Sequence, residues 1–247
     1  MFKPQQTPQL PTHPASQLPP LPNRFNLLVW NLQKTPANQL HLPQLQQQLP
    51  ILTHTPIHIY VLQEAVLHSY LNLPYAISCN IQTKHQSYGV LTASDYQMAC
   101  IAQFLTQKRE LGIFTHKSAL LTAHFFTDQT PLYLLNLHAM IFVPYFIFKK
   151  ELQRLAHLIT DLSAPLIVSG DFNTWNRKRT QWLHDCLSQH HLKAAPIKNA
   201  QHIKSIQRYP LDHIYYRDLT LHQAQAFNVP QCSDHNPLIA QLEYSPS

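Results

Sequence analysis

Eight short runs rich in aliphatic and aromatic residues set the rhythm of this chain. They are FNLLVW (25–30), IHIYVL (57–62), YGVLTA (88–93), SALLTAHF (118–125), PLYLLNL (131–137), PLIVSG (165–170), LDHIYY (211–216) and PLIAQLEY (237–244). Apolar runs of this length, bounded by turn-forming residues, predict strands. Phe148, Leu152, Leu155, Ile159 and Leu162 instead recur at three- and four-residue steps, one apolar stripe that predicts a helix over 146–162. A second helix is expected over 177–190. Strands mixed with helices over 247 residues imply an α/β architecture in one large domain.

Residues 1–23 read differently. They carry seven of the twenty prolines, among Gln, Thr and Ser, and cannot bury enough apolar surface to offset the entropy of ordering. A Pro-rich flexible tail (1–23) ahead of a folded domain (24–247) is therefore expected. No stretch approaches the ~20 apolar residues that a membrane-spanning helix needs. No basic region followed by an apolar run opens the sequence, so a cytoplasmic protein is expected, working as a monomer without a protein partner. Cys79, Cys100, Cys186 and Cys232 show no C-x-x-C pairing and read as reduced, packed thiols. Three glycines in the whole chain exclude glycine-rich phosphate loops. The formal charge of +6 favours a polyanionic partner, nucleic acid or a lipid headgroup. The segment MIFVPYFIF (140–148) has two readings: a loop folded back on the core, or an exposed apolar lip that meets lipid or stacks on bases.

The chemistry lies in where the scarce acids fall. Of twelve carboxylates, Glu64, Asp171, Asp212 and Asp234 each end an apolar run or stand in the polar turn beside one. Asn31 and His138 end two further runs. Strand ends are where α/β sheets place ligand-binding groups. Several carboxylates with amide oxygens make a hard-oxygen site that selects Mg²⁺ or Mn²⁺ over zinc. A hard cation, a spare carboxylate and imidazole together describe hydrolysis of a phosphate ester.

The ordered series WN (30–31), LQE (62–64), NLH (136–138), GDFN (170–173), LDHI (211–214) and SDHNPL (233–238) resembles the endonuclease/exonuclease/phosphatase superfamily, over about residues 25 to 243. The resemblance implies a four-layer α/β sandwich, with two mixed β-sheets packed face to face and helices outside. It implies Glu64 as the metal-binding glutamate, Asn31 beside it, and Asp234 as an acid near the metal. Asp171 becomes the base that deprotonates the attacking water, and Asn173 holds the nucleophile or a phosphate oxygen. His235 contacts the scissile phosphate and is steadied by Asp212. His138 matches the phosphate-contacting histidine of deoxyribonuclease and sphingomyelinase members, and Arg109 stands where relatives place a phosphate-contacting arginine. On this reading nearby cations hold the Asp171 pKa low. Lys117 reads as a solvated strand end, and the remaining histidines as surface residues. The implied activity is metal-dependent hydrolysis of a phosphodiester, with nucleic acid the first candidate substrate. A phosphatase or sphingomyelinase-type lipid hydrolase is the alternative, and a silent binding module of the same fold the non-enzymatic one.

Overall fold

A computed structural model of the chain describes residues 18–34, 56–66, 73–84, 86–110, 115–229 and 233–246. The first seven strands are β1 (Arg24–Asn31), β2 (Ile59–Val66), β3 (Tyr75–Gln82), β4 (Ser87–Ser94), β5 (Met98–Leu105), β6 (Ser118–Phe125) and β7 (Pro131–His138). After them come α1 (Tyr145–His157), β8 (Leu166–Asp171), α2 (Arg177–Ser188) and the two-residue strands β9 (Lys193–Ala194), β10 (Ser205–Ile206) and β11 (Tyr209–Pro210). β12 (Asp212–Arg217), β13 (Thr220–Ala226) and β14 (Leu238–Glu243) complete the described elements.

Among the described residues these strands form two six-stranded mixed sheets, β13-β14-β1-β2-β4-β3 and β5-β6-β7-β8-β12-β9. Their inner faces share one core, in which Leu27, Val29, Ile59 and Val61 meet Leu132, Leu134, Ile167 and Ile214. The outer face of the second sheet, through Leu135, Leu137 and Val168, packs on Phe148, Leu152 and Leu155 of α1 and on Leu183 and Leu187 of α2. Period-two alternation along each strand makes this double use possible.

All eight expected runs are strands. β3, β5 and β13 were not expected, and each lies at a sheet edge. An edge strand half-open to water needs no continuous apolar run, so its sequence carries a weaker signal. The first helix ends at His157, five residues short of its predicted limit. Its stripe nevertheless continues: Leu158, Ile159 and Leu162 follow in turns closed by three-residue hydrogen bonds, and Ile159 stays buried. The second helix stops at Ser188 and begins on Asn176, whose side chain accepts the Arg179 N–H.

The boundary drawn at residue 23 moves back. Leu21 is buried in the inter-sheet core and its N–H donates to Phe125 O at 2.7 Å. Residues 1–17 lie outside the described part. The expectation that the remaining histidines lie at the surface fails at His124 on β6, which is fully buried; burial pushes its pKa down to about 3. Cys79, Cys100 and Cys186 are free thiols, while Cys232 falls outside the described residues.

Gly170 is the backbone position that admits no side chain. It takes φ +138°, and a Cβ there would stand 2.0 Å from Leu137 O on the neighbouring strand. Gly170→Ala is expected to cost more than about 3 kcal/mol in denaturant unfolding, among the large single-site effects. An unchanged midpoint would show that β7 and β8 separate freely.

Candidate active site

The parallel strand pairs β1–β2 and β7–β8 lie in opposite sheets and deliver their C-terminal ends to the same cleft. Along their inner faces the residues change from aliphatic to polar. The sequences are Leu27-Val29-Asn31, Ile59-Val61-Gln63, Leu132-Leu134-Asn136-His138 and Ile167-Ser169-Asp171. Below the site, Gln63 Nε2 donates to Asn136 Oδ1 at 2.8 Å, tying one sheet to the other. Strand pairing then aligns three of the candidate residues. His138 is the register partner of Asp171 on β8, and Asp171 is the partner of Asp212 on β12.

Glu64 breaks the alternation. In a regular strand its side chain would point to the face opposite Gln63, but its φ is +48° and the β2–β4 register shifts between Leu62 and Ala65. This bulge brings the carboxylate to the cleft, a strained conformation of the kind found at functional sites. Asn173, at φ +51°, turns in the same way after β8. Its N–H donates to Asp171 Oδ1 at 3.0 Å and its amide to Ala139 O at 2.8 Å.

The cleft encloses about 440 Å³ and is lined by Asn31, Glu64, His138, Asp171, Asn173, Asp234 and His235, together with Lys34, Lys117 and Lys204. Asp212 stands behind His235: Nδ1 of the ring donates to Asp212 Oδ2 at 2.7 Å. The other ring nitrogen, Nε2, is 3.9 Å from both Asp171 Oδ2 and Asp234 Oδ1. Burial opposes a charge on His235, but Asp212, then Asp171 and Asp234, outweigh it and raise its pKa to about 9. Asp171 departs from expectation. Burial first and Asp212 second raise its pKa to about 7, against the pull of His235 and Lys117. Cations are close, yet desolvation wins.

Asn31 braces Asp171. Its amide donates to Asp171 Oδ2 at 2.9 Å and its Oδ1 accepts the Gln33 N–H at 3.0 Å. His138 Nε2 lies 3.5 Å from Asp171 Oδ2 and 3.8 Å from Glu64 Oε1, so one ring links the two acids. Its pKa falls well below the ordinary imidazole value, through burial and then Lys117, His235 and Lys34. His138 is therefore neutral, and its Nε2 accepts from Lys117 Nζ at 2.9 Å.

Lys117 is the residue that sequence reasoning passed over. It is buried in the cleft, 3.7 Å from Glu64 and 3.7 Å from Glu110, and not a solvated strand end. It precedes β6, which runs antiparallel to β7, so the start of β6 lies at the end of β7. A search for polar groups that follow strands misses a group that precedes one. Arg109 is not among the cleft-lining residues; its Nε donates to His116 Nε2 at 3.3 Å. Asp234 lines the rim, bound to Lys204 at 2.5 Å. The segment 140–148 is partly folded on the core and partly open: Met140, Val143 and Phe148 are buried, while Phe142 and Phe146 are exposed.

Two stacked mixed sheets, with acids and imidazoles gathered where their parallel strands end, define an α/β sandwich of the phosphoester-hydrolase type. The sequence pattern of the endonuclease/exonuclease/phosphatase family matches residues 28–235, and the chain belongs to that family. Across 96% of its length it is 30% identical to a UPF0294 protein of Klebsiella pneumoniae (strain 342), covering 88% of that protein. Among solved structures it resembles a mannosyl-6-phosphatase of Bacteroides thetaiotaomicron VPI-5482, at TM-score 0.63 and 14% identity, covering 89% of this chain and 100% of that one. It also resembles the endonuclease domain of TRAS1, a telomere-specific non-LTR retrotransposon, at TM-score 0.61 and 14% identity over 90% and 99% of the two chains. At such identities these likenesses show the fold.

Proposed function

We propose that this protein hydrolyses phosphodiester bonds of nucleic acid by in-line attack of water, with Mg²⁺ or Mn²⁺ as cofactor. The observation that carries this reading is the His235–Asp212 hydrogen bond at 2.7 Å, with the ring's free nitrogen 3.9 Å from Asp171. Proton acceptor and proton donor thus face one cleft, and Lys34, Lys117 and Lys204 line the same space. Three ammonium groups there match the negative oxygens of a phosphate backbone.

The donor set fits a hard cation. Glu64 is met by Lys34 and Lys117 only at 3.7 Å, which leaves carboxylate lone pairs for a metal. Asp171, Asp212 and His235 also offer one ligand atom each within 4.8 Å of one another. The Nδ1 of His235 is already committed to Asp212, so we read this group as base and proton donor. Asp212 Oδ1 is buried without a hydrogen-bond partner among the described residues, an oxygen that a water would satisfy. Glu64, with Asp234 at the rim, would hold the metal. When bound, a divalent cation neutralises charge that grows on phosphate oxygens. Asp171, oriented by Asn31 and the Asn173 N–H, takes the proton of the attacking water. Asn173 keeps Asp171 Oδ1 aligned. Lys117 faces the non-bridging oxygens, and protonated His235 delivers the Nε2 proton to the leaving oxygen.

The test is hydrolysis of plasmid DNA, a chromogenic bis-ester and sphingomyelin under Mg²⁺ or Mn²⁺ titration, with a chelator control. DNA and bis-ester cleavage that chelation abolishes, and that falls steeply with salt on DNA, is the expected result. Turnover of sphingomyelin alone would reassign the substrate to lipid, and inertness toward all three would leave a binding module.

A further inference from the structure

The segment between β7 and α1 is held far more tightly than a surface connection needs. Ala139 O accepts from the Asn173 amide at 2.8 Å, and Met140 O from Arg179 Nη1 at 3.0 Å. Ile141 O accepts from Trp175 Nε1 at 3.3 Å, and Val143 O from Arg179 Nη2 at 2.6 Å. The Ile141 N–H donates to Glu110 Oε1 at 2.7 Å. Arg179 is only 1% exposed, with its guanidinium 4.3 Å from the Phe148 ring centre and 4.9 Å from that of Trp175. A guanidinium sunk beneath a loop and spent on its carbonyls is a costly way to shape a mere connection.

What this scaffold presents is Phe142, 60% exposed, between two pinned residues. Phe146, the second residue of α1, is 68% exposed. Ile141, directly before Phe142, lines the cleft, so Phe142 follows a residue of its wall. The surroundings are cationic. Lys178 Nζ sits 4.3 Å above the Tyr145 ring, and Lys149 and Lys150 follow Phe146 on α1. The one acid between residues 139 and 160, Glu151, is buried.

We propose that Phe142 and Phe146 form a stacking platform for unpaired bases flanking the scissile phosphodiester, so that the enzyme prefers single-stranded nucleic acid to duplex. This rests on the reading of the cleft as a nucleic-acid phosphodiesterase. Exposed rings beside a cationic track are how single strands are gripped without sequence readout. In a duplex the bases are paired away from the backbone and cannot reach rings placed next to a bound phosphate. An anionic bilayer shares the charge preference, but two exposed rings offer little apolar area for insertion.

The experiment compares an oligonucleotide, the same strand annealed to its complement, and the bis-ester as a substrate without bases. Parent protein, Phe142→Ala and Phe142→Trp are each assayed, with co-sedimentation on phosphatidylserine vesicles. The parent should cleave the free strand at least about tenfold faster than the duplex. Phe142→Ala should lower kcat/KM for the strand, taken relative to the bis-ester, by about tenfold to a hundredfold, and Phe142→Trp should restore it. Equal cleavage of strand and duplex, or an unmoved ratio in Phe142→Ala, would overturn the platform and leave the phosphodiesterase intact. Vesicle binding that Phe142→Ala abolishes, with DNA cleavage unaltered, would hand the lip to a membrane. Inertness toward the strand, the duplex and the bis-ester would remove the underlying reading and the platform with it.

Discussion

Asp171→Asn should lower kcat by about a thousandfold or more while the protein stays folded, since it removes the proposed proton acceptor and leaves a nearly isosteric amide. The thermal midpoint should stay within about 4 °C of the parent's, the shift that ~1 kcal/mol makes in a chain of this size. Burying a carboxylate beside Asp212 opposes its ionisation, so loss of the charge relieves a desolvation penalty. Against that, the new amide faces the Asn31 amide donor. The pH profile of the parent checks the same assignment. A base raised to about 7 by its surroundings must be ionised to act, so the parental rate climbs with pH along an acid limb. A bound cation favours the carboxylate and moves this limb to lower pH, a shift that deepens with metal concentration. A parental rate in the asparagine variant would remove Asp171 from the mechanism.

His235→Ala is the second large effect, a loss of about a hundredfold to ten-thousandfold in turnover. Asp212→Asn separates the ring's two roles. His235 must carry a proton to deliver it, and its pKa of about 9 rests on Asp212, so the parental rate should fall as pH rises past 9. Without the Asp212 charge, burial is less strongly opposed, the ring loses its proton at lower pH, and the alkaline limb moves in the acid direction. Asp171 loses the neighbour that helps raise it, so the acid limb also moves down. A purely structural role for Asp212 would reduce the rate without moving either limb. If the limbs stay in place, the pair does not act as a proton donor.

The candidate site was legible in the sequence to the extent that chemistry follows strands. Asn31, His138 and Asp171 each end an apolar run, and strand pairing carries them to one end of the sandwich. Asp212 opens a run, and it reaches the same end because β12 is antiparallel to β8. Lys117 gave no comparable signal, since its place depends on the antiparallel pairing of β6 with β7. Arg109 shows the converse. A cation at a suggestive place in the chain spends its Nε on His116, outside the cleft lining.

Electrostatics were the least legible part. A count of neighbouring cations predicts a low pKa for Asp171, because charge can be counted along a chain and desolvation cannot. Burial in the cleft, and then the Asp212 carboxylate that strand pairing sets beside it, raise it.

The apolar runs and the helical stripe by themselves determined an α/β chain, and the two stacked sheets were legible only through the family resemblance that WN, LQE, NLH, GDFN, LDHI and SDHNPL carry. The sequence also placed four of its twelve acids, Glu64, Asp171, Asp212 and Asp234, at the ends of apolar runs or in the polar turns beside them. Tertiary structure decided the remainder: the left-handed turn that brings Glu64 to the cleft, the neutrality of His138 under Lys117, and the buried guanidinium that holds Phe142 out into water. Each depends on distances between segments far apart in the chain, and local sequence does not encode those until the sheets have paired.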